Sequence, residues 1–167
     1  MINQLCYHIS MTNKIVTINE TDYYVYADLT DATTYNNAIV GSSWAEKSAT
    51  VQSQYLVMAT RKIDSYNYAG QKIDKEQPLK FPRVMNSGKV SDDEMLTNLC
   101  CQVATYYCDN GTSEVSGDFL NNVEKYQIGD LHVNFKKDAQ IDLTGLDDII
   151  EQVLAEWLKN QGMEIWL

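Results

Sequence analysis

The residues that could do chemistry are few and scattered along this chain of 167 residues. A zinc site needs several ligands at workable spacing, and the two histidines, His8 and His132, are isolated. The cysteines form no Cys-x-x-Cys pair; they are Cys6, Cys100, Cys101 and Cys108. The spacing therefore predicts no metal and no cofactor, and we expect reduced, buried cysteines of a protein that folds in a cytoplasm.

Paired carboxylates are the other candidates for catalysis. Asp92-Asp93-Glu94 and Asp147-Asp148 both stand where a helix is predicted to begin, and the helix dipole already favours acidic residues there. The sequence has no Ser/His/Asp signature and no Gly-rich phosphate loop. We therefore expect no enzymatic activity, and a small enzyme with a dispersed site is the least favoured hypothesis.

Charge is unevenly distributed along the chain. The formal net charge is −10, yet residues 61–90 carry seven basic and three acidic residues. Residues 91–167 carry four basic and fifteen acidic residues. The acidic total argues against general nucleic-acid binding, which needs a positive surface. The opposed segments favour head-to-tail association between copies, and the plainer alternative is that the charges only solvate exposed faces.

The pattern of apolar residues predicts a mainly α fold. It is a small bundle of about four helices with a β-hairpin near 123–135 and extended arms at both ends. The predicted arms are 1–27, with strands at Lys14–Ile18 and Tyr23–Ala27, and the apolar tail 161–167; the helical domain is 28–160. The predicted helices begin at Asp28 or Thr30, at Ser48, at Ser91 and near Leu146, and end near Gly41, Tyr66, Asn110 and Asn160.

Both prolines of the chain lie in one segment, 77–83, which we call the strap. Proline fixes φ and disfavours helix at the preceding residue, so the strap must be extended. We predict that it either braces its own subunit or contacts a neighbour, through Gln77, Pro78, Leu79, Phe81, Pro82 and Arg83. A second predicted docking element is the end of the apolar tail, formed by Ile165, Trp166 and Leu167.

Several motifs occur together in an order that resembles a known family. A helix ending in Ala59–Asp64 is followed by Gly70 and then by the strap. Further on, Lys125–Phe135 contains an Ile-Gly-Asp turn formed by Ile128, Gly129 and Asp130. Over about residues 22–160 this order is similar to the head–tail connector, or adaptor, proteins of tailed bacteriophages.

The resemblance implies a structural virion protein without cofactor or enzymatic activity. Its copies, commonly twelve, would form a ring in the virion neck after synthesis in the host cytoplasm. The expected partners are other copies, the portal protein and the next tail or neck protein. Genomic DNA would pass through the ring without specific binding, and no membrane is involved.

The alternative is a single-stranded nucleic-acid-binding accessory protein of a phage, since some related phage sequences carry a DnaT-like label. Two observations argue against this alternative. The chain is acidic, and its sequence does not interleave basic and aromatic residues in the way typical of single-strand binders.

Overall fold

The computed structural model describes residues 14–110, 125–128, 131–134 and 144–159. Its helices are α1 (Leu29–Asn37), α2 (Ala49–Ile63), α3 (Asp93–Asn110) and α4 (Thr144–Leu154). Its strands are β1 (Lys14–Ile18), β2 (Thr21–Val25), β3 (Gln71–Lys72), β4 (Arg83–Val84), β5 (Lys125–Ile128) and β6 (Leu131–Asn134). They pair as the antiparallel hairpins β1–β2, β3–β4 and β5–β6. Among these residues no helix is long and apolar enough to cross a membrane.

This is a mixed α/β fold, so the prediction of a mainly α bundle is wrong. Helical periodicity was visible in the sequence, but it did not show how far the strands take part in packing. Val16 and Val25 of the β1–β2 hairpin are buried and belong to the same core as α2 and α3. The strap closes the β3–β4 hairpin and also contributes a buried residue, Phe81, to that core.

The β1–β2 hairpin turns more tightly than predicted. Its turn consists of Asn19 and Glu20 alone, with φ values of 49° and 65°. Two central residues with positive φ match the right-handed twist of a hairpin. The second strand therefore starts at Thr21, two residues before the predicted Tyr23, and ends at Val25.

The first two helices begin where capping chemistry predicts. The Asp28 carboxylate accepts hydrogen bonds from the backbone N–H groups of Thr30 and Asp31, and the Asp31 carboxylate accepts one from the N–H of Asp28. Ser48 accepts a bond from the N–H of Val51 at 3.4 Å. These caps satisfy N–H groups that lack a partner inside the helix, and both predicted starts are confirmed.

The start of α3 differs from the prediction. The Ser91 hydroxyl accepts a bond from the backbone N–H of Arg83, and the N–H of Ser91 donates to the carbonyl of Arg83, both at 2.9 Å. Asp92 instead caps the helix, because its carboxylate accepts from the N–H of Glu94. The predicted helix start at Ser91 is therefore one residue too early, because a contact distant in sequence uses that side chain.

The core lies between α2 and α3. Its fully buried side chains include Leu56 and Ile63 from α2 and Leu99 and Tyr107 from α3. The three cysteines of α3 are buried and free, as predicted, and burial raises the pKa of Cys100 to about 11. Cys6 lies outside the described residues.

Beyond α4 the chain changes direction earlier than predicted. α4 ends at Leu154 and not near Asn160, because the following backbone pairs with the segment after α2. The N–H of Ala69 donates to the carbonyl of Trp157 at 2.7 Å, and the N–H of Lys159 donates to the carbonyl of Asn67 at 3.0 Å. The β5–β6 hairpin confirms the predicted one, with Ile128 paired to Leu131. Gly129, Asp130 and the predicted docking tail of Ile165, Trp166 and Leu167 lie outside the described residues.

Candidate nucleic-acid interface

The strap packs into its own subunit. Phe81 is only 2% exposed and lies edge-on to three aromatic rings, with centroid distances of 4.6 Å to Tyr68, 5.9 Å to Trp157 and 6.3 Å to Tyr26. Edge-to-face pairs of this kind add stability beyond the area that they bury. Pro82 is also buried, Leu79 is half-buried against the core, and Pro78 is exposed.

Polar groups of the strap are likewise bonded within the chain. The Arg83 guanidinium donates to four backbone carbonyls, at 2.7 Å to Ala69 and Gly70 and at 3.3 Å to Tyr68 and Lys80. The Gln77 amide donates to the carbonyls of Leu79 and Pro82. Gly70 is required here, because φ is +71° and a Cβ would lie 2.5 Å from the carbonyl oxygen of Val84.

Most lysines of the basic segment 61–90 also have partners inside the chain. Lys62 forms an ion pair with Asp147 of α4 at 2.8 Å, and Lys89 forms one with Glu156. Lys72 and Lys80 donate to the backbone carbonyls of Gln77 and Tyr66. The basic segment and the acidic C-terminal segment therefore meet within one molecule, where the sequence had suggested attraction between copies.

Two carboxylates near the strap are held by tyrosines. The Tyr26 hydroxyl donates to Asp64 at 2.5 Å, and the Tyr66 hydroxyl donates to Asp147. Burial raises the pKa of Asp64. Burial alone would also raise the pKa of Asp147, but Lys62 and Tyr66 outweigh it and hold that pKa below its usual value. Asp64 also accepts from the backbone N–H of Lys80, so the two carboxylates link the end of α2 to the strap and to α4.

A different region, between the β1–β2 hairpin and α2, remains open. It forms a groove of about 520 Å³, which we call the hairpin groove. Its lining combines aromatic, apolar and amide side chains with one arginine: Ile18, Asn19, Tyr23, Val51, Gln54, Tyr55, Val57, Met58 and Arg61. This combination differs from the core, where the buried residues are mainly apolar.

The groove arises because the apolar stripe of α2 is wider than its partners cover. Leu56, Ala59 and Ile63 are fully buried. Val51, Tyr55 and Met58 follow one another at spacings of four and three, so they share a neighbouring face of the helix. The hairpin covers these three residues only in part and leaves them half-buried.

Arg61 gives the groove its positive charge. Its guanidinium carbon lies 6.0 Å from the centroid of the Tyr23 ring, within the range of a cation–π contact. Arg61 is exposed, and within the described residues it forms no ion pair. An arginine stacked on an aromatic ring keeps its N–H groups available for a phosphate, while the groove tyrosines offer faces on which bases can stack.

Comparison with known proteins identifies the family. Residues 16–167 match the family described as "Putative DnaT-like ssDNA binding protein". The chain belongs to this DnaT-like family. The resemblance to head–tail connectors is therefore wrong, and so are the portal, tail and ring partners that it implied. The motifs behind it are explained by folding instead, because the strap and Gly70 make the contacts that close the β3–β4 hairpin.

One curated protein resembles the chain over part of its own length. A zinc metalloprotease, ZmpB, from Streptococcus pneumoniae serotype 4 (strain ATCC BAA-334 / TIGR4) is 28% identical over 164 residues. The alignment covers 90% of this chain and 8% of that protein. Within the described part of the chain, no group of three or more His, Cys, Asp or Glu side chains is placed to hold a metal. No solved structure matches the chain significantly.

The sequence argument against single-strand binding failed for a spatial reason. It searched for basic and aromatic residues interleaved along the chain, whereas Tyr23 and Arg61 are far apart in sequence and meet only in the folded protein. The available signal was the pair Tyr23-Tyr24 in a predicted strand, since alternation places one of the two rings on each face. The sequence does not indicate which helix the inward ring would contact.

Proposed function

We propose that this DnaT-like protein binds single-stranded DNA in the hairpin groove. The observation that carries the proposal is the exposed Arg61 guanidinium, whose carbon lies over the Tyr23 ring at 6.0 Å from its centroid, in the lining of that groove. The family match over residues 16–167 supports the same function independently.

Each part of the groove has a role in the proposed mode of binding. Unpaired bases stack on the tyrosine faces of Tyr23 and Tyr55, and Met58 supplies an apolar floor. The Arg61 guanidinium donates to a backbone phosphate beside the stacked base. Bases in a duplex are already stacked and paired, so the groove selects single strands.

The acidic character of the chain limits how tightly DNA binds. The net charge is −10, and Arg61 is the only basic residue among those that line the groove. Each phosphate neutralised on a single strand contributes about −0.7 to the slope of log K against log salt. We therefore expect a shallow salt dependence, with stacking rather than counterion release as the main source of affinity.

Fluorescence anisotropy with a labelled thymine oligonucleotide tests this proposal at low salt and at about 0.15 M salt. Replacing Arg61 by Ala removes a charge-assisted contact, so we expect affinity to fall on the order of ten-fold and the salt slope to approach zero. The matched control is Lys75→Ala, which removes the same charge from an exposed residue that does not line the groove. It should leave affinity nearly unchanged.

Two results would contradict the proposal. One is an oligonucleotide that does not bind the native chain even at low salt. The other is equal weakening by Arg61→Ala and Lys75→Ala, which would mean that only the overall charge matters.

The proposed role is binding without catalysis. In support, Asp64 and Asp147, the two carboxylates held by tyrosines, bond to structural partners away from the groove. The localisation in the cell stays a prediction from the sequence.

A further inference from the structure

Two carboxamide side chains line the hairpin groove from its two walls. Asn19 comes from the β1–β2 turn, and Gln54 comes from α2. Both residues are exposed, and neither side chain makes a hydrogen bond within the part of the chain that the structure describes. Their donors and acceptors are therefore available to a ligand in the groove.

Backbone geometry fixes the point from which the Asn19 side chain extends. Asn19 has φ 49° and Glu20 has φ 65°, so both residues of the turn are left-handed. Asparagine tolerates this conformation better than most residues, and a two-residue turn leaves the chain little freedom. The backbone of Gln54 is also fixed, because this residue lies in the middle of α2 beside Tyr55.

A carboxamide presents one donor and one acceptor side by side. Adenine matches this pair on its Hoogsteen edge through the N6 amino group and N7, and on its Watson–Crick edge through the same amino group and N1. The amino group has two hydrogens, one for each edge. Guanine also offers two such pairs, O6 with N1–H on its Watson–Crick edge and N3 with the N2 amino group on its sugar edge, whereas cytosine and thymine offer one.

We infer that the hairpin groove prefers purines to pyrimidines among the bases of single-stranded DNA. This inference rests on the proposed function and adds selectivity to it. The purine ring stacks on the tyrosines, while Asn19 and Gln54 each bond one of its two donor–acceptor edges. A pyrimidine can satisfy only one of the two amides at a time.

The test uses thymine oligonucleotides of equal length that differ only in one central base, which is adenine, cytosine, guanine or thymine. The thymine background avoids the self-stacking of adenine tracts. One bidentate amide–base pair discriminates on the order of ten-fold, so the adenine probe should bind about ten times more tightly than the thymine probe. Gln54→Ala removes one of the two amides, so it should weaken the adenine probe more than the thymine probe and abolish that preference.

Two further variants complete the test. Asn19→Gly removes the other amide and keeps a residue that accepts positive φ, so it should also reduce the preference without loss of folding. The matched control is Gln71→Ala, which truncates an exposed glutamine in β3 outside the groove and should preserve the preference.

The outcomes separate this inference from the proposed function. Equal binding of all four probes by the native chain would overturn the purine preference and leave single-strand binding intact. A preference that survives both Gln54→Ala and Asn19→Gly would overturn the assignment to these amides. Failure of every probe to bind would overturn the proposed function and this inference with it.

Discussion

The chain contains two arginines, and the fold uses them in opposite ways. Arg83 is half-buried in the strap region and donates to the backbone carbonyls of four residues. Arg61 is exposed at the hairpin groove, lies over a tyrosine ring and forms no ion pair within the described residues. The same chemical group therefore stabilises the fold in the strap region and remains accessible to a ligand at the hairpin groove.

This contrast shows why the charge of a segment does not by itself predict function. Segment 61–90 holds seven basic residues, but Lys62, Lys72, Lys80, Lys89 and Arg83 have bonds inside the chain. A buried or paired cation has its hydrogen bonds satisfied and gains little from a new partner. The hairpin groove is less charged, yet its arginine, amides and tyrosines remain available.

The largest expected effect comes from truncating Phe81, the buried residue that anchors the strap. Replacing Phe81 by Ala leaves a cavity among Tyr26, Tyr68 and Trp157, so we expect the free energy of unfolding to fall by about 3–5 kcal/mol. Urea denaturation measures this loss. The oligonucleotide affinity of the folded fraction should not change, because Phe81 does not line the groove.

The matched control for Phe81→Ala is Ile73→Ala, in the same β3–β4 hairpin. Ile73 is 39% exposed, so its truncation should change stability by less than about 1 kcal/mol. If Phe81→Ala cost no more than this control, Phe81 would not anchor the strap. A large drop in affinity of the folded Phe81→Ala variant would instead assign the strap a direct part in binding.

The second prediction compares the two arginines directly. Arg83→Ala leaves four carbonyl groups without their charged donor, and hydrogen bonds to charged groups contribute about 1.5–3 kcal/mol. We expect a stability loss of about that size with unchanged binding. Arg61→Ala should do the reverse, with unfolding free energy within about 0.5 kcal/mol of the native value and weaker oligonucleotide binding.

Arg83→Lys separates the effect of charge from that of geometry, because lysine keeps the charge but lacks the planar guanidinium that reaches several carbonyls. Its stability should lie closer to that of Arg83→Ala than to that of the native chain. Parallel changes in stability and affinity for both arginines would contradict the division of the molecule into a bracing region and a binding region.

What the sequence predicted well was local. Asp28 and Ser48 cap the helices that follow them, because a cap depends on residues within one helical turn. The β5–β6 hairpin is also set by neighbouring residues. The sequence could not predict the features that depend on distant partners. The Ser91 hydroxyl accepts a bond from the N–H of Arg83, and α4 ends early because the carbonyl of Trp157 accepts a bond from the N–H of Ala69.

The candidate site also depends on residues that are distant from one another in sequence. Tyr55 and Met58 have the helical spacing of an apolar stripe in the sequence, and the structure leaves both half-buried. Nothing in the local pattern shows that the β1–β2 hairpin leaves a groove above them, or that Tyr23 reaches Arg61. The family match supports the proposed function, which local periodicity did not indicate.

The smallest expected effect concerns the turn that carries Asn19 into the groove. Glu20 has φ 65°, a conformation that glycine adopts without the steric cost of a Cβ. Glu20→Gly should raise the free energy of unfolding by about 0.5–1 kcal/mol, measured by urea denaturation. Glu20→Ala removes the same charge but keeps the Cβ, so it should not stabilise the chain. Equal stabilisation by Gly and Ala would show that charge and not backbone strain is relieved.

The same two variants test how the turn positions the Asn19 amide. Since Asn19 stays in place in both, the preference for the adenine probe should persist in both. Its loss in Glu20→Gly alone would show that turn rigidity is needed to position the Asn19 amide.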